Sequence, residues 1–207
     1  MSERALRLAY ADPPYPGRAH LYKDQASYGG EVNHLRLVEH LATFDGWALS
    51  TNSDSLAYVL SLCPRHVRIA AWVRTNAMPF NADGRGSVRS WEPVIYMPAR
   101  EERFAPDRVR DVLSAGIPQG VTYKGLTGAK PDSFAAWVFA LLGARHGDSL
   151  SDVFPGTGTI SEAWKRWNEQ PTLFAAALGG PRSGEHYREP TEPLPAAPTG
   201  DNEGGAV

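Results

Sequence analysis

Leu6-Arg7-Leu8-Ala9-Tyr10-Ala11-Asp12-Pro13-Pro14-Tyr15 is a short apolar run that stops at two prolines. Proline has no N–H to give to a ladder, so the run predicts a strand ending at Ala11 and a loop beginning at Asp12. Working outward, the loop runs to about Gly30. Val32, Leu35, Val38 and Leu41 then recur at helical spacing, and Asp45-Gly46 closes that helix before a second strand over 47–51. Residues 52–54 cap a helix carrying Leu56, Val59, Leu60 and Leu62 up to Pro64, and a third strand follows over 67–73. Residues 75–90 have glycine, asparagine and proline but no period, which predicts a long loop returning through a fourth strand over 93–97. Beyond it the pattern predicts a short helix near 107–115, a helix from Asp132 that ends at Gly143 and Gly147, and a strand over 150–154. A tight turn at Gly156-Thr157-Gly158, a helix over 160–167 and a last strand over 172–177 complete the reading. Strands alternating with helices indicate an α/β domain with a mainly parallel sheet, which binds ligands at the carboxyl ends of its strands. The loops at Asp12 and Gly156 both leave such ends.

Composition limits what the domain can be. The chain has 207 residues, 21 basic against 23 acidic, and a net charge of −2. Six Trp, eight Tyr and seven Phe exclude disorder throughout. No run reaches the roughly 18 consecutive apolar residues that span a bilayer, and Met1-Ser2-Glu3-Arg4 does not open a secretory stretch, so a cytoplasmic protein with no membrane partner is expected. Cys63, the only cysteine, excludes an internal disulfide framework and a Cys-cluster zinc site. Charge divides unevenly: residues 179–207 hold two Arg against five acids with six Gly and five Pro, and read as a disordered acidic tail behind a domain over 1–178. Between Pro64 and Trp91, five arginines (65, 68, 74, 85, 89) face one acid, Asp83. That excess suits phosphates, although the chain prefers Arg to Lys throughout and chance explains it equally well.

The two loops carry chemistry. Around Asp152-Val153-Phe154-Pro155-Gly156-Thr157-Gly158-Thr159, glycines bring bare backbone and a helix N-terminus close to whatever lies above the sheet, which suits a nucleotide-like ligand. The loop lacks the Gly-x-Gly-x-x-Gly pattern and the lysine of a phosphate loop, so a plain glycine turn stays open. In Asp12-Pro13-Pro14-Tyr15, a carboxylate and a proline carbonyl can accept from a planar amine while its ring stacks on Tyr15. A turn in which Asp12 caps the loop and Tyr15 packs on the surface is the plainer reading.

Tyr10-Ala11-Asp12-Pro13-Pro14-Tyr15 resembles the catalytic Asp/Asn-Pro-Pro-aromatic motif of S-adenosylmethionine (SAM)-dependent DNA amino-methyltransferases, which modify adenine N6 or cytosine N4. Asp152 to Thr159 resembles their Asp-x-Phe-x-Gly-x-Gly-Thr cofactor loop. Lys130-Pro131 and Ser90-Trp91-Glu92-Pro93 are similar to segments lying between the motifs in the permuted, β-type order. The resemblance covers roughly residues 5–167. It implies a Rossmann-like methyltransferase sheet, mainly parallel with one antiparallel strand, helices on both faces and one cofactor-side strand fewer than usual. It implies SAM as cofactor, with Lys130, Asp152, Phe154, Gly156, Thr157 and Gly158 binding it, and Asp12, Pro13, Pro14 and Tyr15 as the catalytic loop. Lys130 is expected to meet the cofactor or a phosphate rather than a buried acid. Adenine N6 in DNA is the leading substrate; RNA, a small-molecule or protein amine, and a non-catalytic subunit of a methyltransferase are alternatives.

The strand over 172–177 ends without the acid that family members use to hold the cofactor ribose, and no separate recognition domain is found, so selectivity is modest or comes from a partner. A homodimer and a heteromeric partner both stay open. Tyr22, Tyr28, Arg74, Arg85, Arg89 and Trp91 are candidate substrate contacts, although Tyr22 and Tyr28 serve equally well to pin their loop and Trp91 to anchor one. Asp148 reads as a cap, and Trp137, Trp164 and Trp167 as core. The six histidines lack metal-ligand spacing, so no metal is expected.

Overall fold

Side chains alternate faces along a strand, and the first strand, β1 (Arg7–Ala11), shows what that alternation builds. Leu8 and Tyr10 enter one apolar layer while Ala9 and Ala11 enter another. The computed structural model describes residues 4–23, 29–76, 89–100, 108–117 and 130–169. These form a sheet of six strands in the order β5-β3-β4-β2-β1-β6, comprising β1, β2 (Gly46–Ser50), β3 (Arg68–Val73), β4 (Trp91–Met97), β5 (Val112–Ser114) and β6 (Ser149–Asp152). Strand β4 runs antiparallel to both its neighbours, and every other pairing is parallel.

Helices cover both faces. Helix α3 (Asp132–Leu142) and α4 (Thr159–Glu169) pack on the layer holding Leu8, Tyr10, Trp72 and Val94; α1 (His34–Leu41) and α2 (Leu56–Leu62) pack on the layer holding Ala9, Trp47, Leu49 and Ile95. A strand covered on both faces must be apolar on both, which is why β2 is buried at all five positions. Local chemistry sets the helix ends. The Asn33 side chain accepts from the Arg36 N–H to cap α1, and Gly143, at φ 70°, closes α3 in the left-handed conformation.

Gly46 has a different reason to be glycine, because a Cβ there would sit 2.6 Å from both the backbone nitrogen and the Cβ of Ala99. Gly46→Ala is therefore expected to cost about 1–3 kcal/mol by overpacking, read as a lower denaturant midpoint with an unchanged slope.

One expected element is different. Residues 107–115 do not make a helix: where described, they run extended and form β5, an edge strand parallel to β3. The pairing is anchored from a distance. Ala71 N–H donates to the Asp111 carbonyl, Ala115 N–H to Val73, and the Trp72 indole to the Ala115 carbonyl at 3.0 Å. The expected strand over 172–177, the tail over 179–207 and most of the loop over 75–90 lie outside the described residues. Among the described residues, no helix is long and apolar enough to cross a membrane.

Candidate active site

The chain goes from β1 through α1 to β2 on one side and places β6 on the other, so the sheet order reverses beside β1. That reversal opens a crevice at the carboxyl ends of β1 and β6. Both motif loops start there. Tyr10 is paired in register with Asp152, and the Val153 N–H donates to the Tyr10 carbonyl at 2.9 Å, so Asp12 and the glycine loop leave the sheet side by side.

In the first loop, Pro13 is buried and Tyr15 half-buried, and the Tyr15 carbonyl accepts from Arg18 N–H at 2.8 Å to begin the following 3-10 turn. In the second, Gly156 (φ 44°) and Gly158 (φ 79°) adopt conformations that a side chain disfavours, and the turn delivers the chain into α4. Asp152 ends β6 with Oδ2 accepting from the Ser161 hydroxyl at 2.8 Å, whereas its buried Oδ1 has no partner. Burial raises the Asp152 carboxyl above the usual range, and the nearby Asp12 adds to the shift against the Ser161 hydrogen bond. Phe154 packs at the edge of the α1–α2 layer, and the Thr157 and Thr159 hydroxyls lie 3.2 Å apart.

Lys130 is placed differently from expectation. It meets two half-buried acids: its ammonium donates to Glu92 Oε2 at 2.7 Å and lies 3.2 Å from Asp12 Oδ2, with its own side chain only 7% exposed. Lys130 immediately precedes Pro131 and α3, which sets its ammonium between Asp12 beyond β1 and Glu92 on β4. There the Trp72 and Phe134 rings, with centroids 5.2 and 5.5 Å away, wall it in and favour a cation that has acidic partners. Burial alone would lower its pKa, but Asp12, Tyr15, Glu92 and Tyr10 outweigh it and hold the ammonium well above its ordinary value. Asp12 is raised, first by burial and then by Glu92, against the pull of Lys130.

Of the remaining candidates, Arg74 borders this core. Arg74 follows β3 with its guanidinium 3.8 Å from Glu92 Oε1 and donating to the Arg89 carbonyl. Arg89 pairs with Asp54 at 2.5 Å, and Trp91, 36% exposed, starts β4. Tyr22 belongs to the 3-10 turn of Ala19–Tyr22, while Tyr28 and Arg85 lie outside the described residues. Glu92, Ser161 and the buried hydroxyls of Ser50 and Thr51 at the end of β2 were not among the expected site residues. Ser50 bonds the Tyr10 hydroxyl at 2.8 Å, and Thr51 Oγ1 has no partner. Glu92 does lie in the Glu-Pro segment, but nothing local marks it as facing Lys130. No group of three His, Cys, Asp or Glu side chains suited to a metal occurs among the described residues.

A mainly parallel sheet with one antiparallel strand and helices on both faces is a Rossmann-like fold of the kind found in solved DNA methyltransferases. In particular, the chain is similar to the crystal structure of an M1.HpyAVI–SAM complex, at 16% identity and a TM-score of 0.50, covering 84% of this chain and 89% of that one. It is also similar to the PvuII DNA methyltransferase, which is cytosine-N4-specific, at 12% identity and a TM-score of 0.54, covering 78% and 72%. No protein-family model and no curated protein sequence matches the chain.

Proposed function

We propose that the protein transfers a methyl group from SAM to the exocyclic amine of a nucleobase in DNA, with adenine N6 as the leading target. The observation that carries this reading is the pairing of Tyr10 with Asp152, which sets the loop at Asp12 beside the glycine loop. The residues fit the cofactor. The buried Asp152 Oδ1 lacks a hydrogen-bond partner, which suits the ammonium of a methionine group, and Gly156 and Gly158 leave bare backbone above the sheet. Asp152, Phe154, Gly156, Thr157 and Gly158 would hold SAM, which supplies an activated methyl on sulfur.

The protein's part is positioning. An amine conjugated to a base is a poor nucleophile, so holding it in line is worth more than any base strength. The Asp12 carboxylate and the Pro13 carbonyl accept from the two amine hydrogens, drawing the lone pair toward the methyl and stabilising positive charge as it develops on nitrogen. Tyr15 stacks on the base, which leaves the duplex to reach it. The solved cytosine-N4 enzyme with this fold supports cytosine N4 as the second reading, since Asp12 would treat both amines alike.

Labelled SAM incubated with the protein and separate pools of DNA, RNA and protein tests the proposal. N6-methyladenine in DNA is the expected product; N4-methylcytosine would move the assignment to cytosine. No label in any pool together with no SAM binding by calorimetry would overturn the reading in favour of a non-catalytic subunit. In the same calorimetry, Asp152→Ala is expected to weaken SAM binding about 10- to 100-fold, the worth of a charge-assisted hydrogen bond.

A further inference from the structure

Lys130 binds two carboxylates from different parts of the chain, Asp12 beyond β1 and Glu92 on β4, and the shorter contact is to Glu92. Glu92 in turn faces Arg74 at 3.8 Å, so two acids and two cations alternate through a slot walled by Trp72 and Phe134. We propose that Lys130 and Glu92 are positioning residues that set the charge of Asp12: the shared ammonium favours the Asp12 carboxylate, and Glu92 draws the ammonium toward itself, leaving Asp12 free to accept from the substrate amine. The proposal rests on the methyl-transfer reading above. A protonated Asp12 carries a donor where an acceptor is needed, so its charge matters directly.

The groups around Asp12 come from every neighbouring element: Tyr10 on β1, Tyr15 in its own loop, Asp152 on β6, Glu92 on β4 and Lys130 before α3. Only Lys130 among them is cationic. Without it, Glu92 would keep Arg74 at 3.8 Å, whereas Asp12 would face a second carboxylate with no cation beside it and would take up a proton more readily. Without the Glu92 charge, Lys130 would serve Asp12 alone.

The two substitutions should therefore move Asp12 in opposite directions. Asp12 is titrated through its side-chain carboxyl carbon by NMR in the full chain, and the acid limb of methyl transfer is measured alongside. Lys130→Met is expected to raise the Asp12 midpoint by about one unit or more, and Glu92→Gln to lower it by about half a unit, the limb following in each case. Lys130→Arg, which keeps the cation, should return the midpoint toward the wild-type value. Midpoints that stay fixed, or that move together, overturn the proposal and leave the trio a structural clamp. If Lys130→Met does not fold, the sign of the Glu92→Gln shift decides. If the wild type transfers no methyl, the reaction assigned above fails, while the carboxyl titration still decides the charge relation.

Discussion

Asp12→Ala is expected to lose methyl transfer by about a thousandfold in kcat while the protein stays folded and continues to bind SAM. The substitution removes an acceptor aimed at charge that develops only on the reacting nitrogen, and removing one such preorganised partner costs on the order of 10²–10³. Losing the amine's orientation as well puts the expected loss at the upper end of that range. Asp12→Asn should be nearly as damaging. An amide has one acceptor oxygen, and the Lys130 ammonium, 3.2 Å from Asp12 Oδ2, would claim it and leave an NH₂ facing the incoming amine. Single-turnover transfer into a DNA pool, with circular dichroism as the folding control, measures both variants. Label that persists undiminished in Asp12→Ala would remove the catalytic assignment.

The same variant should fold for a reason visible in the site. After the carboxylate is deleted, Lys130 keeps its 2.7 Å bond to Glu92, so no buried cation is stranded. Asp12 itself is held above the usual carboxylate range, first by burial and then by Glu92. A carboxyl whose folded pKa is raised favours folding only when it is protonated, at low pH; ionised at neutral pH, it opposes folding. Asp12→Ala should thus change stability at pH 7 by no more than about 1 kcal/mol, on the stabilising side. Low activity with unimpaired stability is the signature of a site whose geometry is maintained at the expense of the fold.

What the sequence made legible follows from where the information lies. Strands β1, β2, β3 and β4 were readable as short apolar runs and β6 only approximately, since it spans Ser149–Asp152 rather than 150–154, while the loops at Asp12 and Gly156 were readable because their chemistry is contiguous. Strand β5 was not readable. Val109, Val112 and Leu113 suit a helical turn as well as a strand, and what settles the choice is pairing with β3, about 40 residues earlier. The partners of Lys130 were hidden for the same reason. Glu92 is 38 residues away, and only the fold brings it and Asp12 to one ammonium. Asp148 read as a cap because its neighbours are a glycine and a strand, and it does accept from the Arg145 N–H three residues earlier at 2.8 Å. Its larger role depends on Arg100, 48 residues distant.

Asp148→Asn should be the most destabilising single substitution among these, at about 3–5 kcal/mol, because it removes the buried carboxylate that pairs with Arg100 and accepts four hydrogen bonds. Asp148 Oδ1 accepts from Leu6 N–H at 2.8 Å and from Arg100 at 3.0 Å, and Oδ2 accepts from Arg100 at 2.7 Å as well as from Arg145 N–H. Arg100 also donates to the Gly143 carbonyl at 3.0 Å, so one ion pair joins the entry to β1, the exit of β4, the end of α3 and the entry to β6. Side-chain exposures of 1% for Asp148 and 10% for Arg100 leave little water to replace a lost partner. An amide at 148 keeps one acceptor and turns an NH₂ toward donors. Replacing both members with apolar residues, as in Asp148→Leu with Arg100→Met, should recover only part of the loss, because neither charge is then buried alone but the Leu6 and Arg145 N–H groups lose their acceptor.

The pH dependence of stability supplies a second readout. Burial pushes the Asp148 carboxyl up, but the hydrogen bonds from Arg100, Leu6 and Arg145 outweigh it and hold the group below its ordinary value. Its contribution is therefore present above the unfolded-state pKa of about 3.9 and is lost as pH falls through the lower folded value. Urea unfolding across that acid range should show this loss in the wild type, and Asp148→Asn should lack this part of it. Methyl transfer per folded molecule should not change, because roughly 20 Å of extended chain separates Leu6 from Asp12 at the far end of β1. A variant that loses activity in proportion to its unfolded fraction fits this account, whereas one that stays folded but inactive would show that the ion pair acts on the crevice through the strands.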